Sequence, residues 1–176
     1  MDIIAHAVYG ATVCSQKGLA GGRVSDNKRR WYEDVTVYQA ALFGVIPDVV
    51  SMWPSFLVFI WEGMPGGNFF AWAGGATLIW YHATHSLVVA LPACLILGLF
   101  RRSLFLPSLA WPLHVIMDAP THGIGKFQTQ PFFPLLDWGV TGINWWEHPG
   151  VFAGYWIALP LIWVFIRFWR RRAFFG

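Results

Sequence analysis

The chain of 176 residues is long enough for one domain with a sizeable core, yet 56 % of it is hydrophobic and only 12 % charged, against about 25 % charged in ordinary globular chains. With 12 Trp and 15 Phe besides, it lacks the polar residues to cover a soluble core, which excludes an ordinary water-soluble protein and predicts an integral membrane protein with interfacial aromatic belts. The formal net charge of +3 does not indicate nucleic acid, because eleven of the twelve Lys and Arg fall at 17–30, at Arg101 with Arg102, and at 167–172. Each group ends or joins apolar segments, the pattern of a positive-inside membrane protein rather than of a nucleic-acid groove.

Residues 3–16 have helical spacing, with His6 the only titratable group among them. Met1-Asp2-Ile3-Ile4 has no basic n-region, so this stretch is expected to be a retained helix rather than a signal peptide. Cys14 and Cys94 both lie inside apolar stretches, without the paired spacing of a zinc knuckle, and are read as packing residues. Residues 17–34, with Gly18, Gly21 and Gly22, predict a loop. A second helix is expected over 35–46 and to stop at Pro47, which disfavours helical geometry at the residue before it. Asp48 follows that break, either as a site residue or as the cap of a short following helix.

The stretch 52–61 is apolar but shorter than the roughly 20 residues a bilayer needs, and 63–68 supply a turn. Residues 69–81 are apolar again, either one kinked helix with 84–100 or a separate half-helix, with Gly74, Gly75 and Pro92 as places to bend. The central feature is a helical hairpin over 81–122 that turns at Arg101 and Arg102. His85 lies 16 residues before the turn and Asp118 16 residues after it, so the arms rise about 24 Å each and bring His85, His114 and Asp118 to one end. The second arm, 103–118, ends at Pro120. Residues 119–149 are too broken to span and too aromatic to be a solvated loop, which predicts an interfacial segment over the site. The last span is 151–168, stopped by Arg167 and Arg170 to Arg172. If the basic loops share the cytoplasmic side, then His6, Asp48, His85, His114 and Asp118 all lie away from it.

His114 and Asp118 are four residues apart and share a helix face, so both can reach one ion. Unpaired Asp inside an apolar helix costs free energy and tends to be kept for a function. His85 stands in Thr84-His85-Ser86, where the hydroxyls can orient its ring, although an imidazole bonded to a backbone carbonyl is an equal reading. His6 alone reads as a satisfied buried histidine. His148, beside Glu147, reads as an interfacial side chain.

His6-Ala7-Val8-Tyr9-Gly10, Ile46-Pro47-Asp48, Thr84-His85-Ser86-Leu87 and the run from His114 to His122 resemble the motifs of the membrane-bound, metal-dependent hydrolases of bacteria and archaea, also described as LexA-binding inner-membrane hydrolases. The aromatic, Pro-rich Phe127-Gln128-Thr129-Gln130-Pro131-Phe132-Phe133-Pro134 resembles the segment that follows the last motif in many members. The order of ligand types is also similar to that of the zinc-dependent phospholipase C group. The resemblance implies His6, Asp48, His85, His114 and Asp118 as metal ligands. Members often carry a His-Arg pair before the Thr-His-Ser, where this chain has Trp80-Tyr81-His82, so His82 is as readily a core or supporting residue. His122, four residues after Asp118 but beyond Pro120, is either a ligand or a general acid.

The expectation is therefore an all-α integral membrane helical bundle, a single domain over 1–176, with a divalent metal site, zinc by preference, between its helices. The expected function is metal-assisted hydrolysis of a phosphoester or ester in a lipid or lipid-linked substrate of the inner membrane. Asp118 or Asp48 would be the general base and His122 the acid. A transporter or proton relay using the same buried groups, and a non-catalytic membrane scaffold, are the competing readings.

Overall fold

The computed structural model describes residues 1–20 and 30–172, the last three without their side chains. Gly21, Gly22 and the middle of the basic group 17–30 lie outside the described residues. What is described is helical, with no strand. Asp2 accepts from Ala5 N at 2.9 Å and caps α1, Ile3–Cys14. Asp34 does the same for α2, Val35–Trp61, through Thr36 N. The short α3 is Phe69–Trp72, and α4 is Ala76–Thr84. Then follow α5, Leu87–Phe100; α6, Arg102–Ser108; α7, Ala110–Asp118; and α8, Pro149–Arg172.

The expected stop at Pro47 does not occur: α2 runs 27 residues through both Pro47 and Pro54. Proline removes a helical N–H and crowds the carbonyl one turn back, here that of Phe43, yet the helix continues. Ser51 Oγ folds back onto its own helix and donates to Pro47 O at 2.7 Å. The stretch 52–61 is thus the end of a long helix and not a separate short one, and Asp48 sits inside that helix rather than capping its successor. By length and hydropathy, α2 and Pro149–Trp169 of α8 can each cross a membrane.

The hairpin turns at Arg101 as its sequence predicts. Gly74 and Gly75 separate α3 from α4, as their place in the sequence predicts, whereas Pro92 lies inside α5; the first arm itself breaks at His85 and Ser86, where α4 and α5 meet at 60°. Counted as one, this bent pair is a third segment of membrane-crossing length. The second arm is divided at Leu109 into α6 and α7, and ends at Asp118 just before Pro120.

Close approach of α1 and α2 fixes the height of His6. A Cβ on Gly10 would lie 2.5 Å from Ala40 O, and one on Gly44 2.5 Å from His6 O, so the two backbones touch where a side chain would separate them. At the other face of α1, Tyr9 Oη donates to Tyr155 O at 2.7 Å. The Asp2 carboxylate accepts from Tyr155 Oη at 2.7 Å and Trp156 Nε1 at 3.1 Å. Burial raises the Asp2 pKa, but these donors and Ala5 N outweigh it and hold the carboxyl below its usual range.

Residues 119–148 form no helix. They fold back on themselves as an irregular cover: Ile143 N donates to Pro120 O, Gly142 N to His122 O and Val140 N to Thr129 O. Gly142 has no room for a Cβ, which would meet Ala119 O and His122 O at 2.5 Å.

Two predictions follow from this packing. Gly44→Ala should destabilise the protein by about 1–3 kcal/mol, whereas Gly154→Ala, with open space around it, should be neutral or stabilising; thermal unfolding in detergent separates them. Because the Asp2 pKa is depressed on folding, its contribution is complete above the unfolded value of 3.8 and is lost as pH falls through the folded one. Part of the loss of thermal stability below pH 4 should therefore be missing in Asp2→Asn.

Candidate metal centre

The polar groups of the bundle meet where its helices are broken. Asp48 follows Pro47 inside α2, His85 occupies the gap between α4 and α5, and Asp118 is the last residue of α7, one turn after His114. One ligating atom from each of Asp48, His85, His114 and Asp118 lies within 4.8 Å of all the others. Three separate stretches of apolar sequence thus deliver two imidazoles and two carboxylates to one point.

The local fold aims each ring. His114 Nδ1 donates to Gly44 O at 2.7 Å, across to the turn of α2 that Pro47 opens. His85 Nδ1 donates to Tyr81 O at 2.9 Å, and the Tyr81 ring stacks on His85 with centroids 4.0 Å apart. Thr84 Oγ1 is 3.1 Å from the same nitrogen. Ser86 does not touch the ring. Its hydroxyl caps α5 at Val88 N and donates to Phe133 O at 2.6 Å, holding the cover against the helix break. Trp111 Nε1 donates to Thr84 O at 2.7 Å from the facing helix, taking up a carbonyl freed by that break.

With both Nδ1 protons committed to carbonyls, neutral His85 and His114 turn bare Nε2 lone pairs inward. Those two nitrogens are 3.1 Å apart. Around them, Asp48 Oδ1 is 3.2 Å from His85 Nε2 and 3.7 Å from His114 Nε2. Asp118 Oδ2 is 3.2 Å from His114 Nε2 and 3.6 Å from His85 Nε2. Four electron-rich atoms facing one another in a buried space repel unless a cation or protons lie among them. Two imidazoles with two carboxylates can hold a metal ion there.

His6 stands outside this foursome and reaches it through Asp118, with Nε2 2.8 Å from Oδ1. Its ring lies flat on that of His114, centroids 3.6 Å apart. Its Nδ1 is buried and has no partner, so it lacks the carbonyl tether that orients the other two. Asp118 Oδ1 also accepts from the Met1 α-amino group, which donates in turn to Thr121 Oγ1 at 2.9 Å, and lies 3.4 Å from His122 Nδ1.

Burial is nearly complete: His6, His85, His114 and Asp118 are at most 2 % exposed. The Asp48 side chain, at 25 %, is the open side of the foursome. His122, in the cover, packs edge-on against Trp146. Burial pushes its imidazole down to about 4, against the pull of the Asp118 carboxylate, so the ring is neutral at pH 7. His82 turns away towards Phe133, and His148 is exposed at the start of α8.

Tyr81, Trp111 and the Gly44 carbonyl are site-building groups that the sequence reading missed. For Gly44 a signal exists, a lone glycine in an apolar helix two residues before the Ile46-Pro47-Asp48 motif. For Trp111 none does among so many tryptophans. Comparison with protein families, curated proteins and solved structures finds no match to the chain.

The tautomers are directly measurable. In ¹⁵N spectra of the histidine rings in detergent, His85 and His114 should carry their protons on Nδ1. Nε2–H tautomers at both would contradict the inward-facing lone pairs.

Proposed function

We propose that the protein is a membrane-embedded, metal-dependent hydrolase acting on a phosphoester or ester bond of a lipid or lipid-linked substrate. The single observation that supports this reading most is the pair of bare Nε2 atoms 3.1 Å apart with two carboxylates around them. The sequence motifs shared with the inner-membrane metal-dependent hydrolases, and the likeness to zinc-dependent phospholipase C, support it independently. In this reading the chain is multi-pass in the inner membrane, its basic loops cytoplasmic and its site towards the opposite face.

His85, His114, Asp48 and Asp118 would hold the ion, and His6 would hold the Asp118 carboxylate in line as a neighbour once removed from the metal. The ion, when bound, supplies Lewis acidity towards a phosphoryl or acyl oxygen and acidifies water. Asp48, the ligand open to the outside, is placed to take a proton at Oδ2, the oxygen not turned towards His85. Asp118 is buried and fully engaged, so its role is to bind and to order the surrounding histidines. His122, neutral at pH 7, would relay to the leaving group the one proton that Asp48 takes from water.

The same His and Asp contacts would also serve a proton relay across a membrane, and metal content separates the two readings. Purified protein should contain bound zinc, and His114→Ala with Asp118→Ala should abolish it. Chelation should stop hydrolysis of a fluorescent phospholipid or of bis(p-nitrophenyl) phosphate, and zinc should restore it. Asp48→Asn should lower turnover by about 10²–10⁴-fold. Metal-free wild-type protein that cannot be reloaded and turns over no ester would overturn the hydrolase reading, and ion-dependent flux in liposomes would replace it with the relay.

A further inference from the structure

Apart from Lys126, the basic residues whose side chains are described lie at the end of the bundle away from the metal centre. α1 carries His6 near its start and runs towards Lys17, while α2 begins beyond Arg30 and reaches Gly44 beside His6. α8 leaves Tyr155, which is bonded to Asp2 and Tyr9, and runs on to Arg167. Arg101 and Arg102 form the turn between α5 and α6 at the same end. Most charges there are answered within the chain. Arg30 lies over Tyr32 and Arg167 over Trp163. The Asp34 carboxylate is taken up by Thr36, and that of Glu33 by Arg30 N. Arg101 and Arg102 differ: both are exposed, and neither side chain has a hydrogen bond, ion pair or ring contact among the described residues.

The surroundings of these two guanidiniums narrow what can answer them. Successive residues hold their charges close together, so one anion shared between them relieves the repulsion of both. Guanidinium forks match the oxygens of a phosphate in particular. Immediately before them, Leu99 and Phe100 are 83 % and 82 % exposed. α5 has no charged residue from Leu87 to Phe100, and Leu104, Phe105 and Leu106 follow in α6. The turn therefore stands where two apolar arms end, with bare hydrocarbon and positive charge one residue apart. An acidic protein segment or a free phosphate would answer the charge and leave Leu99 and Phe100 without a partner. An anionic phospholipid supplies phosphate and hydrocarbon in one molecule, and the long arginine stem lets the charged head reach headgroup level while its methylenes stay among the chains.

We propose that the turn at Leu99, Phe100, Arg101 and Arg102 binds one anionic phospholipid of the leaflet opposite the metal centre, its phosphate on the two arginines and its chains against Leu99 and Phe100. Bound there, the lipid fixes the level of the hairpin in the membrane. About 24 Å of helix separates this site from His85, and it depends on neither the metal nor hydrolysis.

The test titrates the full-length protein in neutral detergent with phosphatidylglycerol or with phosphatidylcholine of the same chains, and counts bound lipid by native mass spectrometry. Phosphatidylglycerol should be held at least about tenfold more tightly, and Arg101→Gln with Arg102→Gln should bring the two lipids within about twofold of each other. Arg167→Gln, which removes a guanidinium already resting on Trp163, should leave the preference unchanged. Both turn arginines are exposed and unbonded, so the double variant should unfold at the wild-type temperature in lipid-free detergent. Equal affinity of the wild type for the two lipids, or a preference that survives the double substitution, would overturn the site. Competition identifies the source of the phosphate. Inorganic phosphate or poly-glutamate in excess should not displace the lipid; displacement by the first would leave a free-anion site, and by the second an acidic-protein surface, and either would overturn the lipid assignment. Leu99→Ser with Phe100→Ser should weaken dioctanoyl phosphatidylglycerol about tenfold and leave the soluble headgroup, glycerophosphoglycerol, unaffected. Unchanged binding of the dioctanoyl lipid would remove the chain contacts and the proposal with them.

Discussion

The structure depends on the cost of placing Asp118 at 1 % exposure inside apolar helices. An isolated carboxylate there is strongly unfavourable, and removing a partner from a buried charged set typically costs about 3–5 kcal/mol. One oxygen is satisfied directly, by His6 and the Met1 amino group, while the other faces the Nε2 lone pairs of His114 and His85 and calls for a cation or a proton between them. The α4–α5 bend and the end of α7 each bring a polar side chain into this layer.

Specific bonds hold the α4–α5 break: Trp111 donates to Thr84 O, and Ser86 ties the gap to Pro131 and Phe133 of the cover. The carbonyl of Gly44 is put to use, since it fixes the tautomer of His114. Breaking the helices and orienting the ligands are thus the same event, and the glycine contact of α1 with α2 carries His6 into the same layer.

Much of this arrangement was legible from local pattern. The turn at Arg101, the end at Pro120 and the four-residue spacing of His114 and Asp118 are short-range properties, and they alone bring one end of the hairpin together. The continuity of α2 was not legible, because proline ordinarily signals a helix end and only the packing of α2 on α1, α4, α6 and α7 shows that the helix continues. Nor was the site of the bend. Gly74 and Gly75 do interrupt the chain, between α3 and α4, but Pro92 does not, and the 60° bend comes at His85 and Ser86, where the cover supplies carbonyls to hold Ser86. The path of residues 119–148 was hidden for the same reason, since it is set by contacts with Tyr81, Ser86 and Asp118 rather than by its own periodicity. His6 was legible as a buried histidine but not as the partner of Asp118, a contact across 112 residues.

The central claim is that one cation lies between His85, His114, Asp48 and Asp118. X-ray absorption at the zinc edge of the reloaded protein tests it most directly. The account predicts a shell of nitrogen and oxygen at about 2.0–2.2 Å with the outer scattering of imidazole rings, reduced in His114→Ala. A shell of sulfur at about 2.3 Å, or a spectrum without imidazole that His114→Ala leaves unchanged, would contradict it.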